Sequence, residues 1–388
     1  MLPAMASTDL TLSLHRAIAE VPAADWDACA GGGNPFVSHA FLAALEESGS
    51  ATARTGWLPQ HAVLRDPGGR MLACAPCYAK SHSQGEYVFD YGWADAFERA
   101  GGQYYPKLQV CAPFSPVPGP RLLIHPEAGI GPAAMGQGLA QACEDLGISS
   151  AHVTFCEGAE WEAMGEAGWL QRLGTQFHWH NKGYASFEDF LGALSSRKRK
   201  AIRRERRDAL ANGISIEWIT GSAITEAHWD AFFAFYMDTG SRKWGRPYLN
   251  RSFFSLIGER MADRVLLVMA RREGRLIAGA INFIGGTRLY GRNWGCIEDH
   301  PFLHFEVCYY QAIAFAIARG LDRVEAGAQG EHKLARGYRP VITSSAHDIA
   351  DPSLLRAVRS YLEQERRYVS EVVDELSSAT PFKHRDED

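Results

Sequence analysis

Apolar and polar positions follow one another in the same order twice along the chain. Residues 60–93 read as a strand, a turn at Asp66-Pro67-Gly68-Gly69, a returning strand over 70–75, a further turn and an aromatic third strand over 87–93. Residues 264–295 repeat the scheme: a strand over 265–270, a turn at Arg272-Glu273-Gly274, a return over 275–280, and an aromatic strand over 289–295. Short apolar runs bounded by Gly, Pro and Asp are the pattern of paired strands.

The parallel extends both ways. Upstream, Ala24-Asp25-Trp26-Asp27-Ala28 matches Ala227-His228-Trp229-Asp230-Ala231. Downstream, one helix stops at Leu146-Gly147 and leads into a strand over 151–155. Its counterpart stops at Arg319-Gly320 and leads into a strand over 322–326. Apolar residues at helical spacing, such as Ile313, Phe315, Ala316 and Ile317, with glycine at the stop, predict these helices. A last pair of segments, 161–169 and 331–338, follows each strand. Five matches in one order imply an internal duplication. The repeats span 8–180 and 214–382, joined by a connecting helix within 181–213. Each is a mixed α/β domain with a mostly antiparallel sheet and a crossover helix.

Composition narrows the class. With 388 residues, 46% apolar and 22% charged, the chain can bury real cores, and ten Trp and nineteen Phe suit large pockets. A net charge of −5 gives no general pull toward nucleic acid or membrane surfaces. No apolar run has the length of a membrane span, and the first residues lack the pattern of a secretory signal. Eight dispersed Cys suit a reducing, cytoplasmic setting. Residues 383–388 read as a polar tail.

The order of elements resembles the N-acetyltransferase (GNAT) superfamily, and two such units in one chain resemble the FemAB-like transferases. Glu325-Ala326-Gly327-Ala328-Gln329-Gly330-Glu331-His332-Lys333, Phe114-Ser115-Pro116-Val117-Pro118-Gly119-Pro120-Arg121 and Ser196-Arg197-Lys198-Arg199-Lys200 resemble a bacterial group of N-acyltransferases close to them. The resemblance covers about residues 10–382. It implies two tandem GNAT-like acyl-CoA N-acyltransferase domains. It also implies transfer of an acyl or aminoacyl group to an amine, with peptidoglycan precursors as the expected acceptors. The implied donor is acyl-CoA or aminoacyl-tRNA, with no permanently bound cofactor. GNAT enzymes cradle the CoA pyrophosphate on a Gly-rich loop opening a helix. Gly129 and Gly131, ahead of a helix beginning near Ala133, are the cofactor-binding candidates. The second repeat has Glu298 and Asp299 at that place, and acid at a helix start repels phosphate.

Acyl transfer to an amine needs a base, donors for the oxyanion and a proton for the leaving group. The second repeat concentrates such groups. Glu306, Glu331 and His332 are the catalytic candidates, with Glu306 or Glu331 as base. Arg292, Trp294, His304, Tyr309, Gln329, Lys333 and Arg336 are substrate-binding candidates. Loops following the strands of an α/β sheet commonly converge on one ligand crevice. Alternatively, Glu306 simply favours a helix N-terminus, and Glu331 and Lys333 are solvated loop charges.

Residues 195–208 hold eight Lys or Arg against Glu205 and Asp208, a net +6, so the rest of the chain sums to −11. This helix is expected to run to Asn212 and stop at Gly213. Its self-repulsion favours an anionic partner such as tRNA, a nucleotide sugar or CoA, with Arg199 and Arg203 as binding candidates. The alternative is a solvated helix facing acidic neighbours.

Three signals read as structural. Cys74 and Cys77 share the redox spacing but fall on opposite faces of a strand. His178 and His180 share a strand face without a third ligand. Residues 244–248 form an aromatic-anchored turn that would also serve to wall an acceptor pocket. Two other functions fit the same residues: a non-catalytic module for an anionic nucleotide sugar, CoA or RNA, and an RNA-binding protein using the basic helix. No G-x-S-x-G-type nucleophile motif is present, so direct attack by the amine is expected.

Overall fold

In the computed structural model, which describes residues 10–242, 247–327 and 330–383, the chain divides into two units. The first comprises the residues up to Gly174 together with Thr343–Arg367. The second comprises Thr175–Ile342 and the residues from Tyr368 onward. The sequence repeats, 8–180 and 214–382, therefore do not coincide with the units at their ends.

The first unit opens with β1 (Thr11–His15), α1 (Ala23–Ala30) and α2 (His39–Glu47). Ser38 caps α2 by accepting from the Phe41 amide. The hairpin pattern then appears as four pieces: β2 (Trp57–Pro59), β3 (His61–Arg65), β4 (Met71–Ala75) and β5 (Cys77–Lys80). Pro76 cannot donate to a ladder and separates β4 from β5, so the two lie in different sheets. Cys74 and Cys77 are both buried free thiols.

The expected aromatic strand over 87–93 is not a strand. The segment bends and then enters α3 (Tyr91–Arg99), and β6 (Lys107–Val110) takes the sheet position beside β5. A buried charge cluster explains the departure. Lys107 donates to Glu86 (2.7 Å), Ser83 (2.9 Å) and Asp90, and all four side chains are almost fully buried. Pairing these charges away from water holds the 83–90 segment in place. After β7 (Leu123–Ile124), α4 (Pro132–Leu146) ends at Gly147 in the left-handed conformation, where the sequence placed the stop. β8 (Ser150–Cys156), α5 (Gly158–Glu166) and β9 (Leu170–His180) follow.

The second unit continues with α6 (Phe187–Gly192) and the basic helix α7 (Ser196–Ala209). α7 is extended by one tight turn in which Asn212 and Gly213 have φ of 65° and 73°, which closes it at the expected glycine. β10 (Ser215–Thr220), α8 (Glu226–Arg242), α9 (Arg251–Met261), β11 (Val265–Arg272), β12 (Arg275–Gly285) and β13 (Arg288–Cys296) come next. α8 lays Trp229, Phe232 and Tyr236 against Phe254 of α9. Gly295 lets α8 approach β13 closely, because a Cβ there would lie 2.1 Å from the Phe235 carbonyl oxygen. Then follow α10 (Leu303–Phe305), a π turn (Glu306–Tyr310), α11 (Gln311–Ala318), β14 (Arg323–Glu325), a 3₁₀ turn (Glu331–Arg336), β15 (Arg339–Ile349) and α12 (Pro352–Ser378).

In the first unit one sheet runs β1-β3-β4-β7 and the other runs β15-β8-β6-β5-β2. The second unit has the order β10-β11-β12-β13-β14-β9. In each unit one crossover helix, α4 or α11, joins a parallel pair, β6 with β8 or β13 with β14. The repeats exchange their closing strands. Residues 178–180 of β9 pair with β14, and residues 344–349 of β15 pair with β8. Each unit has its own apolar core. One is built around Met135, Leu139, Val110 and Val153, the other around Val268, Leu289, Ile313 and Val324.

Candidate active site

The site grows from the end of the parallel pair in the second unit. β13 and β14 pair at Arg288–Arg323, Leu289–Val324 and Tyr290–Glu325. β14 then stops, whereas β13 runs six residues further, so a gap opens at the carboxyl end of the pair, where α/β sheets characteristically hold ligands. Gly291 sits where the strands part. A Cβ there would lie 3.3 Å from the Asn282 Oδ1 and 3.5 Å from the Glu325 carbonyl oxygen. The β12–β13 register also shifts between Ala280 and Asn282.

A cavity of about 80 Å³ occupies this gap. Arg292, Asn293 and Trp294 of β13 form one wall, Asn282 lies on β12, and His304, Cys308 and Tyr309 come from the following helix. That helix starts from Phe302 at φ 61° and widens into the π turn over Glu306–Tyr310. Such widened turns recur at functional sites because they displace one side chain from the regular spiral. The aromatic rings stack up around the cavity: Trp294 to His304 at 5.2 Å and His304 to Tyr309 at 5.5 Å between centroids.

Behind Tyr309 lies His332. The Tyr309 hydroxyl is 2.9 Å from His332 Nε2. Burial raises the Tyr309 pKa, so the phenol keeps its proton. Burial, together with the charges of Arg336 and Lys333, lowers the His332 pKa, so the imidazole is neutral near pH 7. Lys333 is 1% exposed and donates to the Gly327 carbonyl at 3.0 Å, and burial pulls its pKa down to about 8. Arg336 lies 3.5 Å over the Phe305 ring, donates to the His332 carbonyl (2.8 Å) and pairs with Glu205 (2.9 Å).

The structure thus brings Arg292, Trp294, His304 and Tyr309 to one cavity, with His332, Lys333 and Arg336 in the adjoining turn. Glu306 is elsewhere. Its carboxylate is fully buried, takes a forked pair of bonds from Arg206 at 3.0 Å each and a third from Gln311 at 2.6 Å. A carboxylate so committed anchors α7; it is not a base facing the cavity, as the sequence suggested. Arg203 is exposed and paired with Glu188, and Arg199 is half-buried on the same helix. Of Glu331 only the backbone is described, at the start of the 3₁₀ turn; Gln329 lies outside the described residues, as do residues 244–246 of the aromatic turn. Asn282, Asn293 and Cys308 line the cavity and were not anticipated. Asn282 left a signal: it is the one polar residue in the run Ala278-Gly279-Ala280-Ile281-Asn282-Phe283-Ile284.

The first unit closes the matching place. β6 and β8 pair through Val110–Val153, and the chain beyond, residues 111–117, is wholly buried. Gly119 N–H bonds the Phe155 carbonyl at 3.0 Å. The buried Arg121 guanidinium then gives bonds to the carbonyls of Thr154 (3.0 Å), Pro120 (2.9 Å), Gly119 (3.2 Å) and Val117. Glu160 accepts from the Arg121 and Leu122 amides at 2.8 and 2.6 Å. Gly129 and Gly131 precede α4 as expected, Gly131 as its N-cap, but the strand end they would serve is filled by the protein's own chain.

Two tandem units of mixed α/β structure therefore define the class. The chain belongs to the FemAB-like family, described as peptidoglycan biosynthesis/recognition, which matches residues 17–384. No curated protein matches it. Among solved structures, it is similar to the C-terminal domain of a putative lysylphosphatidylglycerol synthetase from Agrobacterium fabrum. That pair shares 10% identity with a TM-score of 0.54, over 89% of this chain and 96% of that one. FemX is similar at 10% identity and a TM-score of 0.53, over 90% of this chain and all of that one. L-PGS from Bacillus licheniformis is similar at 10% identity and a TM-score of 0.50, over 85% and 98%. At such identities the likeness is one of fold. Among the described residues no helix is long and apolar enough to cross a membrane.

Proposed function

We propose that the second unit transfers an acyl or aminoacyl group to an amine acceptor of peptidoglycan metabolism by direct attack. The observation that carries this reading is the cavity at the β13–β14 parting, with a guanidinium on one wall and the Tyr309–His332 pair on another. The activated carbonyl enters the cavity. The neutral amine nitrogen attacks its carbon, forming a C–N bond while the C=O electron pair moves to oxygen. Arg292 offsets the charge on that oxygen. The C–O bond of an ester donor, or the C–S bond of a thioester, then breaks. The proton lost by the amine passes through the Tyr309 hydroxyl to His332, which returns it by the same route to the leaving oxygen or sulfur as the oxyanion's electron pair re-forms the C=O.

Of the two donor classes, aminoacyl-tRNA is favoured. α7 presents exposed Arg and Lys side chains in this same unit, whereas the turn before α10 carries Glu298, which is paired with Arg272 and His300. The test is a transfer assay with labelled aminoacyl-tRNA or acyl-CoA and amine-bearing peptidoglycan precursors. Turnover lost in Arg292→Ala and Tyr309→Phe supports the reading; unchanged turnover in both overturns it.

A further inference from the structure

The first unit holds a second cavity, of about 330 Å³, four times the volume of the one at β13. That is within the usual size of small-molecule sites. It lies where α4 ends and α12 begins. Phe97 and Tyr105 give it aromatic walls, Gln103 a polar one, and Glu144 and Asp351 the only charges among its lining residues. Both charges are negative.

The chemistry of the wall is that of an acceptor. Glu144 belongs to the last turn of the fifteen-residue α4, whose carbonyl end carries partial negative charge. Asp351 Oδ1 takes the Ser353 and Leu354 amides at 2.8 Å each, which caps α12 through one oxygen and leaves Oδ2 outside that cap. The Gln103 amide N–H₂ donates to the Tyr105 carbonyl at 2.9 Å, which leaves its oxygen as an acceptor. Asp348 lies close enough that Glu144's charge, added to burial, raises its pKa, a sign that the local potential is negative. The Tyr105 ring is held from behind, its hydroxyl 2.8 Å from Ser83, which in turn takes a bond from the buried Lys107 at 2.9 Å. A fixed aromatic face beside carboxylates suits a cation with an apolar body.

We propose that this cavity binds an organic ammonium: a primary amine on an aliphatic chain, with the charge at Glu144 and Asp351 and the chain against Phe97 and Tyr105. It is a site separate from the transfer reaction and does not depend on it. The experiment is isothermal titration of the full chain with 1,5-diaminopentane, pentylamine and 1-pentanol. The two amines should bind saturably at one site and pentanol should not. Glu144→Gln, an exposed position that folding tolerates, should weaken the amines about tenfold, the worth of one charge-assisted bond. Phe97→Leu should weaken pentylamine as well. Arg292→Ala should leave both affinities intact. No saturable amine binding, equal binding of pentanol, or amine binding that survives Glu144→Gln and is lost in Arg292→Ala would each overturn the proposal.

Discussion

The two copies end their parallel strand pair in opposite ways. After β13 the chain leaves the sheet and a cavity remains, walled by Arg292, Trp294 and Tyr309. After β6 the chain stays, and Arg121 knits residues 117–122 to β8 through carbonyl oxygens. One arginine lines a cavity; the other gives its donors to its own backbone. The duplicated fold thus keeps a cavity at one parting and fills the other with its own chain. The ladders before the parting are alike; beyond it residues 111–117 fill the first unit, while Arg292, Trp294 and Tyr309 line a cavity in the second.

The largest effect that would sharpen this contrast is catalytic. Removing the charge in Arg292→Ala should lower kcat/KM for transfer at least ~100-fold, about the loss of one oxyanion donor, with the fold intact by circular dichroism. Tyr309→Phe deletes the proton path and keeps the ring, so kcat should fall about 100-fold with KM little changed. The converse change, Arg121→Met, strands several buried carbonyls. It should cost about 3 kcal/mol in urea unfolding while activity per folded molecule persists. If Arg121→Met instead abolished turnover without destabilising, the sealed copy would be the active one.

Two smaller effects come from titration. Lys333 is charged below its pKa of about 8. If its charge holds an anionic substrate, KM should rise as pH passes 8, and Lys333→Arg should flatten that rise. In the first unit, His152 and His347 face each other with their Nδ1 atoms 2.8 Å apart. Burial lowers the His152 pKa from 6.5 to about 3 and that of His347 well below 6.5. Between about pH 3 and 6.5 the unfolded chain then binds more protons than the folded one, so stability is full above pH 6.5 and declines as pH falls. The urea midpoint should drop between pH 7 and 5, and less steeply in His347→Asn.

The sequence carried the repeat well, because turns and periodicity are local. Gly147, Gly213 and the 265–296 hairpins stand where the pattern put them. It misled at 87–93, where aromatic alternation looked like the strand 289–295. There the deciding force was long-range: Lys107, many residues on, draws in Glu86 and Asp90. Glu306 was misassigned for a related reason. Helical spacing placed it beside Tyr309 but could not show that Arg206, a hundred residues earlier, would claim it. Arg292, Trp294, His304 and Tyr309 were legible because strand and helix order alone brings them to one strand end.

The exchange of closing strands has a practical corollary. A gene split between residues 181 and 213 would give two polypeptides, neither carrying every strand of the sheet it begins. The amino-terminal piece would lack the strand that lies beside β8, and the carboxyl-terminal piece the one beside β14. Each fragment alone should expose a bare sheet edge and aggregate, whereas the two expressed together should rescue one another.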